Sequence, residues 1–68
     1  MKSYKLYFKC LGEWIPAVRI VADERIHETI YANNINDAIV TVIKNTKGIQ
    51  LDGTNKLVCQ QTGEFKIF

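Results

Sequence analysis

Five apolar residues, Ile35, Ala38, Ile39, Val42 and Ile43, recur at i, i+3, i+4, i+7 and i+8, which places them on one face of one short helix. No other segment carries that period, and the rest of the chain alternates with the period of two that marks strands. A single helix covers one face of a sheet and leaves the other open. Side chains expected on that open face include Tyr7, Leu11, Ile15, Val21, Tyr31, Val58 and Phe68. A partly apolar open face is a candidate contact surface.

The alternation can be followed along the chain. From Tyr4 to Leu11, Tyr4, Leu6, Phe8 and Cys10 take the core side, and Lys5, Tyr7 and Lys9 the solvent side. Gly12-Glu13 reads as a II′ hairpin turn with glycine first. Trp14 to Ala22 follows as a second strand with Trp14, Val18 and Ile20 towards the core. Pro16 has no N–H for a ladder and pushes the start of this strand to an edge or a bulge. Asp23-Glu24-Arg25 reads as a polar turn, and Ile26 to Ala32 as a third strand whose apolar side is interrupted by Glu28.

Asn34 is the expected N-cap, with Asp37 three positions on reaching back and complementing the helix dipole. The helix should end near Asn45, with Lys44 in its last turn. Residues 39–43 are all β-branched, so packing against the sheet has to hold this helix; a strand is the rival reading of the same run. After Gly48, the runs Ile49 to Leu51, Lys56 to Gln61 and Glu64 to Phe68 form a predicted three-strand meander. The predicted fold is one α+β domain over residues 1–68. It has a five- or six-stranded, mostly antiparallel sheet and one helix on one face, in the order β-β-β-α-β-β-β.

Sixty-eight residues lie near the lower limit for a self-sufficient core and leave little room for a deep substrate pocket. Binding across a surface is the expected mode of action, without catalysis. The net charge of +2 falls short of a dense nucleic-acid-binding footprint. Cys10 and Cys59 have no CxxC spacing and no neighbouring histidine, so no metal site is expected, and both read as free, small core residues. The N-terminal residues lack a signal-like apolar stretch, and no run approaches the ~20 apolar residues of a membrane span. A cytoplasmic protein without a membrane contact is the expectation.

Among residues that could carry chemistry, His27 is the only histidine, and its neighbour Glu28 faces the other way in a strand. Cys59 lies between Val58 and Gln60 with no base in view. Glu13, Asp23, Glu24, Asp52 and Glu64 fall in or beside turns, where solubility accounts for them. Lys5, Tyr7 and Lys9 stand apart because they project from the open face, with Arg19, Tyr31, Lys66 and Phe68 able to join them. Tyrosine and arginine are common protein-interface anchors, so Lys5, Tyr7, Lys9, Arg19 and Tyr31 are the candidate partner-binding residues. Cations interleaved with aromatics also suit single-stranded nucleic acid, which is the alternative reading. A homodimer that buries this face against itself is a third.

The segment Thr29-Ile30-Tyr31-Ala32-Asn33-Asn34-Ile35-Asn36-Asp37-Ala38 resembles the strand, cap and helix start of certain small phage-encoded anti-CRISPR proteins, which inhibit type I CRISPR surveillance complexes. Lys56-Leu57-Val58-Cys59-Gln60-Gln61-Thr62-Gly63-Glu64-Phe65 is similar to their terminal hairpin. The resemblance implies a curved antiparallel sheet cradling one helix, a host protein or ribonucleoprotein complex as partner, and action by occluding a nucleic-acid-binding surface. Members of that family carry basic residues early in the helix, where this chain has Ile39, Val40 and Thr41. No binding site is carried over to the helix.

Overall fold

In the computed structural model, which describes residues 1–68, helix α1 (Ile35–Asn45) begins where its cap chemistry puts it. The Asp37 N–H donates to Asn34 Oδ1 at 2.9 Å, and the Asn34 amide donates to the Asp37 carboxylate at 3.2 Å. Both atoms of the cap are thus used, which fixes the first turn. Ile35, Ala38 and Val42 are buried and Ile39 packs partly against them, as the spacing requires. Ile43 departs from expectation: it is 38% exposed.

The α+β architecture is present, with a mostly antiparallel sheet and one helix. Its strands are β1 (Lys2–Cys10), β2 (Glu13–Pro16), β3 (Val18–Val21), β4 (Glu24–His27), β5 (Thr29–Ala32), β6 (Asn55–Cys59) and β7 (Phe65–Ile67). Five strands precede the helix and two follow it, so Ile49–Leu51 is not a strand. The main sheet runs β2-β1-β6-β7, with β5 sharing the β2 side of β1. Residues 7–10 of β1 pair with β2 and residues 2–5 with β5. Strands β3 and β4 leave this sheet as a separate two-stranded hairpin.

The departure point is a closed ring of three backbone hydrogen bonds. Ala17 N–H donates to Leu6 C=O (3.0 Å), Glu28 N–H to Ala17 C=O (2.8 Å), and Leu6 N–H to Glu28 C=O (3.2 Å). Pro16 cannot extend the β2 ladder, so the chain turns away there, returns at Glu28, and Leu6 serves both branches. Ala17 is buried at this vertex, 6% exposed. Ala17→Leu should overpack it and cost about 1–3 kcal/mol, read as a lower denaturant midpoint.

Both tight turns sit one residue from their expected places. Cys10 pairs with Glu13, so Leu11-Gly12 is the loop, and positive φ at both residues (51° and 80°) makes it a I′ turn. Ala22 and Asp23 (φ 50° and 66°) form the second I′ turn, and Glu24 and Arg25 belong to β4.

Only 12 of 68 residues are buried, which confines the core to the sheet beneath the helix: Tyr4, Leu6, Ile30, Ala32, Leu57 and Cys59 against Ile35, Ala38 and Val42. The Tyr4 hydroxyl is buried without a hydrogen-bond partner, and burial pushes its pKa up, aided by nearby Cys59, Glu64 and Asp37. An unpaired hydroxyl contributes nothing to stability in return for its desolvation. Tyr4→Phe should therefore melt at or above the wild-type temperature.

Candidate functional site

Strand registers place the open face residue by residue. Tyr7 is opposite Pro16 on one side and Lys56 on the other; Lys9 faces Trp14; Lys5 faces Thr29 and Val58; Val58 faces Phe65. Directly opposed residues share a face, so these side chains lie together on the side away from the helix. The lysines are not free-standing. Lys5 Nζ donates to Thr29 Oγ1 at 2.6 Å. Lys56 Nζ lies 4.8 Å from the Trp14 ring centroid, 5.5 Å from Tyr7 and 5.7 Å from Phe65, and Lys9 Nζ is 5.7 Å from Trp14. Each ammonium-to-ring distance falls within cation–π range, so the cluster holds its own cation among three rings.

His27 closes one border. Its ring meets Tyr7 edge-on, with centroids 4.8 Å apart and an interplanar angle of 81°. Its Nε2 is 2.8 Å from the Leu6 carbonyl, which requires the Nε2–H tautomer to donate there. Both features tie the ring to the three-strand vertex, a structural role.

Of the expected contact residues, Lys5, Tyr7, Lys9 and Tyr31 share the open face by register. Tyr31 is 67% exposed at the β5 border. Arg19 sits apart on β3, where its guanidinium grips the Glu28 carboxylate through two bonds, of 3.0 and 2.8 Å. Arg19 and Tyr31 line one shallow depression between the hairpin and β5, beside Val21 and Ile26. Lys66 and Phe68 do not join the open face. Lys66 pairs with Leu57 on the helix side and donates to Asn36 Oδ1 at 3.1 Å, and Phe68 packs against the core.

Two aromatic members, Trp14 and Phe65, were not among the expected residues, nor was Lys56. Apolar alternation puts Trp14 in the core and Ile15 on the open face; the register reverses them. Directly opposed residues share a face, so Trp14 goes with Lys9 and Ile15 with Phe8. Lys56 was legible, since alternation with buried Leu57 and Cys59 sends it outward.

The strand residues of this face include Lys5, Lys9 and Lys56 but no acid; the one acid of β2, Glu13, pairs with Cys10 on the helix side. An acid-free face with three ammonium groups suits a partner surface of negative potential.

Other reactive groups lie elsewhere. Cys59 is buried, 1% exposed. A Thr62 side-chain hydrogen bond lowers its thiol pKa against the opposing effect of burial, with backbone bonds and the Lys2 charge adding to the lowering. Cys10 is exposed instead of buried, because the helix does not reach the end of β1, and both cysteines are free thiols. No three histidine, cysteine or acidic residues gather as a metal-binding group. No helix is long and apolar enough to cross a membrane. Comparison with protein-family models, with curated proteins and with solved structures finds no match to this chain.

Proposed function

We propose that the protein is a non-enzymatic binding module whose open sheet face docks on a negatively charged patch of a partner protein. The observation that carries this reading is the acid-free cluster of Tyr7, Trp14, Phe65, Lys5, Lys9 and Lys56 on one side of the sheet. Tyrosine and tryptophan provide contact area at low entropic cost, and the lysines steer association and exclude basic partners. A protein partner is favoured over single-stranded nucleic acid because the rings already hold Lys56, and Glu28 neutralises Arg19. Rings and cations occupied by each other are poorly placed to stack on bases and clamp phosphates.

The resemblance to phage anti-CRISPR proteins gives this role a setting, as an inhibitor of a bacterial type I surveillance complex. The charge of the face argues how such inhibition works. Imitating nucleic acid needs an acidic surface, so this face would block its target by covering an acidic region, not by mimicry.

The test is capture from bacterial lysate on immobilised protein, with and without nuclease, at low and high salt. A protein partner persists through nuclease and loses affinity only gradually with salt. Retention that vanishes with nuclease and falls steeply with salt assigns the face to nucleic acid instead.

A further inference from the structure

The main sheet has outer edges at β2, β5 and β7, and the first two are guarded. Leu6 bonds both Ala17 and Glu28, so alternation turns the backbone groups of Trp14 and Pro16, and of Thr29 and Tyr31, outwards. Pro16 has no N–H to offer another strand, and the β3–β4 hairpin stands beside β5 across the depression that Arg19 and Tyr31 line. Strand β7 has neither guard. Its pairing with β6 runs from the Cys59 N–H donating to Glu64 C=O (2.7 Å) to the reciprocal bonds of Asn55 and Phe68 (3.0 and 2.8 Å). The N–H and C=O groups of Phe65 and Ile67 therefore point away from β6, and these two residues are 61% and 46% exposed.

A row of unpaired backbone groups on an edge takes an extended strand. The charges of this edge say which strand. Glu64 and Lys66 lie on the helix side, opposite Cys59 and Leu57, and flank Phe65. Laid antiparallel against itself about Phe65, the segment Glu64-Phe65-Lys66 is self-complementary. Each Glu64 then faces Lys66 of the second copy at a non-hydrogen-bonded position, where side chains come closest, and the two Phe65 residues exchange both backbone bonds. A two-fold axis at Lys66 would oppose two ammonium groups, and one at Ile67 would leave both charges unmatched. Lys66 now donates to the exposed Asn36 Oδ1, and a carboxylate in its place makes a stronger, charge-assisted bond. On the open face the charge nearest this edge is Lys56, one strand in. The Lys56 residues of the two copies are three strand spacings apart, about 14 Å, beyond the screening length of about 8 Å at physiological salt.

We infer that β7 is a homodimer edge, at which two copies pair antiparallel about Phe65 and join their main sheets into one. The contact is isologous, as a two-fold dimer requires, and it is small, so the dimer is a weak one. Directly opposed residues share a face, so both open faces lie uncovered on the same side of the joined sheet. The inference stands whatever that face binds.

Sedimentation equilibrium on wild type, Glu64→Lys, Lys66→Glu and the double exchange Glu64→Lys/Lys66→Glu tests this, with thermal melts to show that each variant is folded. Wild type should pass from monomer to dimer between about 10 μM and about 1 mM. Each single variant opposes like charges twice, so its dimer dissociation constant should rise about tenfold or more. An equimolar mixture of the two single variants should pair as a heterodimer, and the double exchange should restore the homodimer. A wild type that stays monomeric throughout that range overturns the inference. So does a single variant that dimerises as wild type does, or a mixture of the two that stays monomeric.

Discussion

Leu57→Ala should remove most of the stability of this domain, about 2–5 kcal/mol in a denaturant melt. Leu57 is fully buried on the central strand pair, opposite Leu6 and beneath the helix. Truncation there leaves a cavity that a rigid ladder on both sides cannot collapse. With so few residues buried, total stability should be at the low end for single domains, about 5 kcal/mol or less. Leu57→Ala should therefore be largely unfolded at room temperature. Ile43→Ala offers the contrast: its side chain is 38% exposed, and the loss should stay below about 1.5 kcal/mol. Equal losses at the two positions would contradict the placement of the core.

The second large effect concerns binding. Tyr7→Ala and Trp14→Ala should each weaken partner binding by about 2 kcal/mol or more, chiefly through faster dissociation. Both rings flank Lys56 at the middle of the open face, and removing either leaves that ammonium without part of its enclosure. Lys5→Ala and Lys9→Ala should act mainly on the association rate and its salt dependence. Arg19→Ala should have a smaller effect than its residue type suggests, because its guanidinium is already committed to Glu28.

The helix was legible because three independent signals coincide in it. The apolar spacing, the Asn34 cap and Asp37 in the first turn all point to Ile35–Asn45. The face of β1 was legible as well, since Tyr4 and Leu6 alternate with Lys5 and Tyr7 without interruption. What could not be read was the path from Glu13 to Ala32. Leucine and alanine rarely occupy the left-handed turn positions that Leu11 and Ala22 take, so composition pointed to the neighbouring residues. Trp14 reads as a core residue by its apolar bulk, yet pairing with Lys9 puts it on the open face beside Lys56 and sends Ile15 to the other side. The split of two long alternating runs into β2, β3, β4 and β5 depends on the three-way contact of Leu6, Ala17 and Glu28, which joins residues far apart in sequence. Pro16 and Glu28 mark the two breaks, but neither says that the hairpin between them leaves the sheet.

The central claim is that the open face is the working surface. Dissociation of the captured partner from immobilised wild type, Tyr7→Ala and Lys44→Ala tests it most directly, with thermal melts to show that each variant is folded. The account predicts a dissociation rate at least about tenfold faster for Tyr7→Ala and unchanged for Lys44→Ala on the helix. A folded Tyr7→Ala that releases its partner no faster than wild type, while Lys44→Ala releases it rapidly, would contradict the account and assign binding to the helix side.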